Sequence, residues 1–153
     1  MARAAHHPAG GGAVMAMASL DELRAIGQTL RQWVFGAPAP GAPRSPTQEL
    51  APDLGRISDE VLFGQIWSRP GLELPHRSMI TIAALTALGR EVELRAHIRG
   101  GLDLGLSRGK IVEIIMQMAF YAGQPAAHAG FRAAKGGLRR PRQQAGPGQG
   151  GPR

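Results

Sequence analysis

The chain of 153 residues contains no cysteine. That absence excludes disulfides, thiolate metal sites and dithiol redox chemistry. There is no apolar run of about 18 residues free of charge or glycine, which argues against a membrane-spanning helix. The N-terminus, with His6, His7, Pro8 and a glycine run, lacks a signal-peptide core, so a cytoplasmic location is expected. Acidic residues are missing from both ends. All 11 lie between residues 19 and 138, whereas Arg3, Arg139, Arg140, Arg142 and Arg153 lie outside that span. The net charge of +7 therefore divides into +5 on the ends and +2 on the body. Nucleic-acid binding needs a basic patch on a folded surface, which this distribution does not supply. A nearly balanced body with several arginines remains compatible with a small anionic substrate.

No strand pattern is present, and what remains is a succession of helical periods. Residues 1–18 read as a disordered N-terminal tail and 139–153 as a disordered basic tail, both rich in glycine or proline. His6 and His7 read as solvated rather than metal-binding. Between the tails, 19–138 reads as a single domain. Ser19 caps a helix over about 20–35, with Asp21 and Glu22 in its first turn and Leu20, Leu23, Ile26, Leu30, Trp33 and Val34 at helical spacing. Residues 36–56 carry too much proline and glycine for a regular element, and they are expected to wrap over a neighbour or a pocket.

A second helix is predicted from near Ser58, burying Val61, Leu62, Ile66 and Trp67 and stopping at the turn Ser68-Arg69-Pro70-Gly71. A third, His76 to Leu88, is apolar nearly all round and is expected to be fully buried. A fourth spans about 91–104; Ser107 caps a fifth that ends at Gly123; and Pro125 opens a sixth that reaches about Leu138. The fold class is therefore all-α with about six helices. The apolar excess over 76–122 predicts a homo-oligomer.

On the fourth helix Glu93 and His97 stand about 40° apart around the axis, so the carboxylate can reach the imidazole. A carboxylate beside a histidine raises its pKa and fixes its tautomer, giving a general acid or base near neutrality. The same spacing also fits an ordinary surface pair. Gly100 and Gly101 follow one turn on, where they either leave room for a ligand or allow close helix packing. Arg69, stiffened by Pro70, can present a fixed guanidinium fork to a carboxylate. Arg77, in the first turn of the third helix, needs an anion, either a protein carboxylate or a ligand. Tyr121 ends the fifth helix and Gln65 precedes the Trp67 turn. His76 and His128 read as solvated.

The ordered blocks IWSRPGL, RSMITIAALTALGREVELRAHIRGGLDLGLSRGKIVEII and YAGQPAA resemble the carboxymuconolactone decarboxylase family, within the fold group shared with alkylhydroperoxidase D. The resemblance covers about residues 57–138, with helix 20–35 as a displaced first helix. It implies an alkylhydroperoxidase D-like helical bundle assembled as a trimer or hexamer. In the peroxidase branch two cysteines stand at the positions of Arg90 and Glu93, so a chain without cysteine matches the decarboxylase branch. That branch implies a cofactor-independent lyase with no metal site, acting on a small acidic lactone. On this reading His97 and Glu93 are catalytic, Arg69 anchors a substrate carboxylate, and Gln65, Arg77 and Tyr121 complete the substrate-binding set. Two positions depart from the family pattern: Gln65 replaces a glutamate and Ala122 a cysteine. Gln65 cannot shuttle a proton near neutrality. The alternatives are a biosynthetic relative running another cofactor-free isomerisation, cyclisation or decarboxylation, and a non-catalytic oligomeric binding protein.

Overall fold

The computed structural model describes residues 18–138, and the expected tails fall almost wholly outside the described residues. The described chain is all-helical, with no strand. In order it holds α1 (Leu20–Phe35), α2 (Pro46–Leu50), α3 (Pro52–Ile57), a π-helical segment (Ser58–Trp67), α4 (Leu74–Ala87), α5 (Glu91–Asp103), α6 (Arg108–Tyr121) and α7 (Gln124–Gly137).

A capping box starts α1: the Glu22 N–H donates to Ser19 Oγ at 3.3 Å, and the Ser19 N–H donates to Glu22 Oε2 at 2.7 Å. The Ser19 N–H, with the Ser19 hydroxyl, holds the Glu22 carboxyl below its usual range. The buried face is Leu23, Gly27, Leu30 and Val34, so the expected stripe is turned, leaving Leu20, Ile26 and Trp33 exposed. Glycine decides the rotation. A Cβ on Gly27 would overlap the Asp59 carbonyl, one on Gly64 the Leu23 carbonyl, and one on Gly100 the Val34 carbonyl. α1 therefore lies backbone to backbone against the π segment and α5. Gly100 serves that approach, and Gly101 faces Leu106 and Ile82, so neither glycine leaves ligand space.

The π segment buries Asp59, Glu60, Phe63, Gly64 and Trp67, whereas Val61, Leu62 and Ile66 of the expected face are exposed. Its i→i+5 winding brings residues four and five apart into line. Two acids can be buried there because each meets arginine, which offsets their lost hydration. Arg24 donates to Glu60 Oε1 from Nε at 3.1 Å and from Nη2 at 2.8 Å, and Arg56 Nη1 donates to Oε2 at 3.2 Å. Arg31 Nε lies 2.9 Å from Asp59 Oδ1.

The connector contains two short helices where none was expected. Pro46 and Pro52 each occupy the first turn, where a missing N–H costs nothing. Ser45 and Gln48 form a second capping box, so the prolines that read as breakers mark helix starts.

One core cluster, centred on Ile82, Leu94, Ile98, Ile111 and Ile115, is built by α4, α5, α6 and α7. A second joins Leu30 and Val34 to Phe63, Trp67 and Leu74. α4 is not buried all round: Leu74, Ser78, Ile82 and Thr86 face inward while Ile80 is 56% exposed. With Val92, Met116, Phe120 and Tyr121, Ile80 adds to the apolar surface that a single chain leaves open.

Candidate active site

Where the two clusters meet, α1, α2, the π segment, α4 and α5 enclose a cleft of about 810 Å³. Phe35, Leu62, Phe63 and Trp67 give it apolar and aromatic walls; Thr81, Glu93 and His97 lie on one side, and Arg31, Ser45, Thr47 and Gln48 on the other. The size and the mixture of apolar walls with a few polar groups suit a small molecule.

His97 is held by aromatic packing. The Phe35 ring stands edge-on at 4.8 Å between centroids, and the Trp67 ring lies 6.4 Å away. Its Nδ1 is buried without a hydrogen-bond partner. Burial pushes the imidazole pKa below the ordinary histidine value, and the negative charge of Glu93 offsets this only in part. Glu93 thus raises the pKa as expected, but burial, which the spacing did not show, outweighs it and the net shift is downward. Glu93 is exposed and makes no hydrogen bond to His97, so its charge acts through high-dielectric surroundings while the imidazole loses its own hydration.

Burial of neutral His97 and ionised Glu60 makes stability pH-dependent. The folded pKa of His97 lies below 6.5, so its contribution is present above 6.5 and is lost as pH falls through the folded pKa. Glu60, held ionised chiefly by hydrogen bonds from Arg24, has a folded pKa below 4.5, and its contribution disappears at still lower pH. Urea melts from pH 8 to 3 should therefore show stability declining in two stages. His97→Asn should remove the upper stage alone, and an unchanged profile in that variant would contradict the burial of a neutral imidazole.

Of the residues anticipated from sequence, the cleft brings together only Glu93 and His97. Arg69 is exposed on the turn after the π segment, and its backbone carbonyl accepts from Arg77 Nη2 at 2.8 Å. Arg77 finds no carboxylate among the described residues. Its Nε is buried and unpartnered, and burial together with the Arg69 charge lowers its pKa. Helical spacing puts Arg77 one turn from Thr81, whose Oγ1 donates to the Arg77 carbonyl, so Arg77 borders the cleft, and neither arginine lines it. Gln65 is half-buried and Tyr121 exposed, both away from the lining, and Ala122 is exposed beside Tyr121.

Sequence reasoning missed Arg31, Phe35, Thr81 and the polar residues of α2. Arg31 carried a signal: it falls four residues after Gly27, among the apolar positions Leu30 and Val34, where an unpaired cation has no place. The Ser-Pro-Thr-Gln run at 45–48 was the corresponding signal for α2.

Residues 52–136 match the carboxymuconolactone decarboxylase family. A 4-carboxymuconolactone decarboxylase of Acinetobacter baylyi is 41% identical over 83 residues, which are 54% of this chain and 62% of that protein. An uncharacterized 15.0 kDa protein of Paracoccus denitrificans is 35% identical over 81 residues, 52% of this chain and 60% of its own. A nitrosuccinic acid decarboxylase of Metarhizium robertsii is 33% identical over 66 residues, 43% of this chain and 46% of its own. This chain spans less than two thirds of the length of each. Phe63, Trp67, Thr81, Glu93 and His97 fall inside the matched segment, and Arg31, Phe35 and Gln48 fall before it. With more than half its length matched and the imidazole of that segment set in a cleft, the chain belongs to the carboxymuconolactone decarboxylase family.

Proposed function

We propose that the chain is a cytoplasmic, homo-oligomeric carboxy-lyase that removes carbon dioxide from a small dicarboxylic acid, of which 4-carboxymuconolactone is the type, without metal or organic cofactor. The observation that carries this reading is the unpartnered, buried Nδ1 of His97 at a cleft that also presents the Arg31 guanidinium. The exposed apolar side chains Ile80, Val92, Met116 and Phe120 support assembly as a trimer or hexamer.

The two substrates named by the decarboxylase relatives share a chemistry. In each, the carbon that loses carbon dioxide also bears a carboxymethyl group and is joined to an electron sink, an unsaturated lactone in one and a nitro group in the other. In the lactone, the bond to the leaving carboxylate breaks and its electron pair passes through the ring double bond onto the lactone carbonyl oxygen. The dienolate then takes one proton at ring carbon. One carbon dioxide leaves and one proton is consumed, so the protein needs to hold the retained acid, bear the developing charge and supply the proton.

His97 fits the last two tasks. Burial favours the neutral imidazole in the free protein, and an arriving dianion favours the protonated form, so the proton enters together with the substrate. The imidazolium then sits beside the developing dienolate and gives up its proton as the charge collapses. Glu93, on the same helix face, assists that protonation through its charge. Arg69 and Arg77, with no carboxylate partner among the described residues, draw the dianion towards the Trp67 end. Gln65 and Tyr121 carry no step in this scheme.

The test is carbon dioxide release by the purified protein, offered 4-carboxymuconolactone and nitrosuccinate in separate assays. Release from at least one, with one equivalent of decarboxylated acid, is expected. Release from neither would overturn the reading.

A further inference from the structure

We infer that Arg31 and Gln48, from parts of the chain that precede the family-matched segment, form the subsite for the carboxylate that the substrate retains, and so set which acids this protein accepts. This inference rests on the decarboxylase reading above. Arg31 lies on α1 at the cleft with a side chain 42% exposed, and it touches protein through Nε alone, 2.9 Å from Asp59 Oδ1. The two Nη groups, which carry four of the five guanidinium donors, have no partner among the described residues. Asp59 is buried, its side chain 7% exposed and its Oδ1 without an aligned hydrogen bond, so it holds the Nε edge of the guanidinium by charge while Arg31 lines the cleft.

Gln48 is poised in the same way. Its Oε1 accepts from the Ser45 N–H at 2.8 Å within the capping box, which fixes the amide beside the cleft that Gln48 lines, and its NH₂ makes no hydrogen bond among the described residues. The subsite therefore offers hydrogen-bond donors from a charged fork and a neutral amide, the complement of a carboxylate.

The spacing to the reacting end is set by α1. Phe35 is one turn from Arg31 and stacks edge-on against His97 at 4.8 Å, and all three line the same cleft, so guanidinium and imidazole serve one small ligand. A compact acid meets both, with its carboxymethyl group on Arg31 and the carbon to be protonated near His97. A monoacid keeps the reacting end and loses the anchor.

The experiment compares 4-carboxymuconolactone with the analogue whose carboxymethyl acid is a methyl ester. In the wild type the ester should raise KM about 10- to 100-fold with kcat nearly unchanged, the range expected for losing a charge-assisted pair. Arg31→Met should raise KM for the diacid by a similar factor and abolish the difference between diacid and ester. Arg31→Lys should restore part of it, and Gln48→Ala should weaken diacid binding several-fold. Arg31→Met leaves Asp59 without its cation, so Arg31→Met combined with Asp59→Asn serves as the folding-safe form. Acid-ester discrimination that persists in the folded double variant would overturn the inference. Should the wild type release no carbon dioxide, the decarboxylase reading fails separately, and succinate becomes the probe of the subsite. A rise in melting temperature with succinate in the wild type and not in the double variant supports the subsite, whereas equal rises, or none in either, refute it.

Discussion

His97→Ala should lower kcat/KM for carbon dioxide release by about 10²- to 10⁴-fold, the usual contribution of a positioned general acid. The truncation removes the proposed proton donor and opens space between Phe35 and Trp67, which flank the ring in the intact protein. A stability loss accompanies the catalytic one, and the two are separated by His97→Gln. That variant keeps a polar, hydrogen-bonding side chain of comparable reach and lacks a proton to give, so its activity should stay as low as that of His97→Ala. Glu93→Gln is expected to act more mildly. Removing the one carboxylate that offsets burial leaves the imidazole still harder to protonate, so activity falls several-fold and the deficit grows with pH. Retention of full activity in either His97 variant, measured by rates at saturating and limiting substrate, would remove His97 from the mechanism.

Gly27→Ala should be among the most damaging single-methyl changes in the chain. In an exposed helix the substitution gains about 1 kcal/mol from propensity. Here the added methyl enters the Asp59 carbonyl oxygen, backbone that no rotamer change can move aside. Separating α1 from the π segment disturbs the Phe63 and Trp67 packing and pulls Arg31 from Asp59, a strain of about 1–3 kcal/mol or more. The steric effect wins, and the melting temperature should fall by roughly 2–8 °C. Gly109→Ala is the internal control, because a Cβ there meets only Ser107 Oγ at 3.8 Å, an ordinary contact. It should leave stability unchanged or slightly raised. Similar melting temperatures for the two variants would show that the backbone approach at Gly27 does not hold α1 in place.

Those two residues also mark what could be seen in the sequence. Helical periods, Ser19 with Glu22, and the stops at Gly36 and Gly105 are local signals, and α1, α5 and α6 end close to where they predict. Which face a helix buries is decided by its partner. Gly27 and Gly64 permit a contact that turns Ile26 and Trp33 outward and carries Asp59 and Glu60 inward, and the arginines that neutralise those acids come from α1 and α3. Prolines at 46 and 52 read as breakers because composition was weighed ahead of position, although Pro at a helix start is favourable.

The site was legible to a similar depth. Spacing on one helix, with the resemblance, singled out Glu93 and His97, and both line the cleft. The direction of the His97 pKa was not legible, because it depends on Phe35 and Trp67 arriving from two other elements. Arg31 escaped for the same reason: its pairing with Asp59 spans the connector. The anchor anticipated at Arg69 rested on the stiffness of its turn, which fixes a direction without fixing a destination.

The cleft draws on two parts of the chain, one inside the family-matched segment and one before it. His97, Glu93, Thr81 and Trp67 come from the matched segment, while Arg31 and Gln48 precede it. Loss of carbon dioxide and delivery of a proton are common to any acid with an electron sink beside its leaving carboxylate. On the inference above, choice among such acids falls to Arg31 and Gln48.

The pH dependence of kcat/KM for carbon dioxide release from 4-carboxymuconolactone tests the central claim most directly. Free His97 titrates below 6.5 and must be protonated in the productive complex, so kcat/KM should fall about tenfold per pH unit above that pKa and level off below it. A rate constant that instead rises with pH through neutrality, or the absence of carbon dioxide release at every pH, would contradict the account.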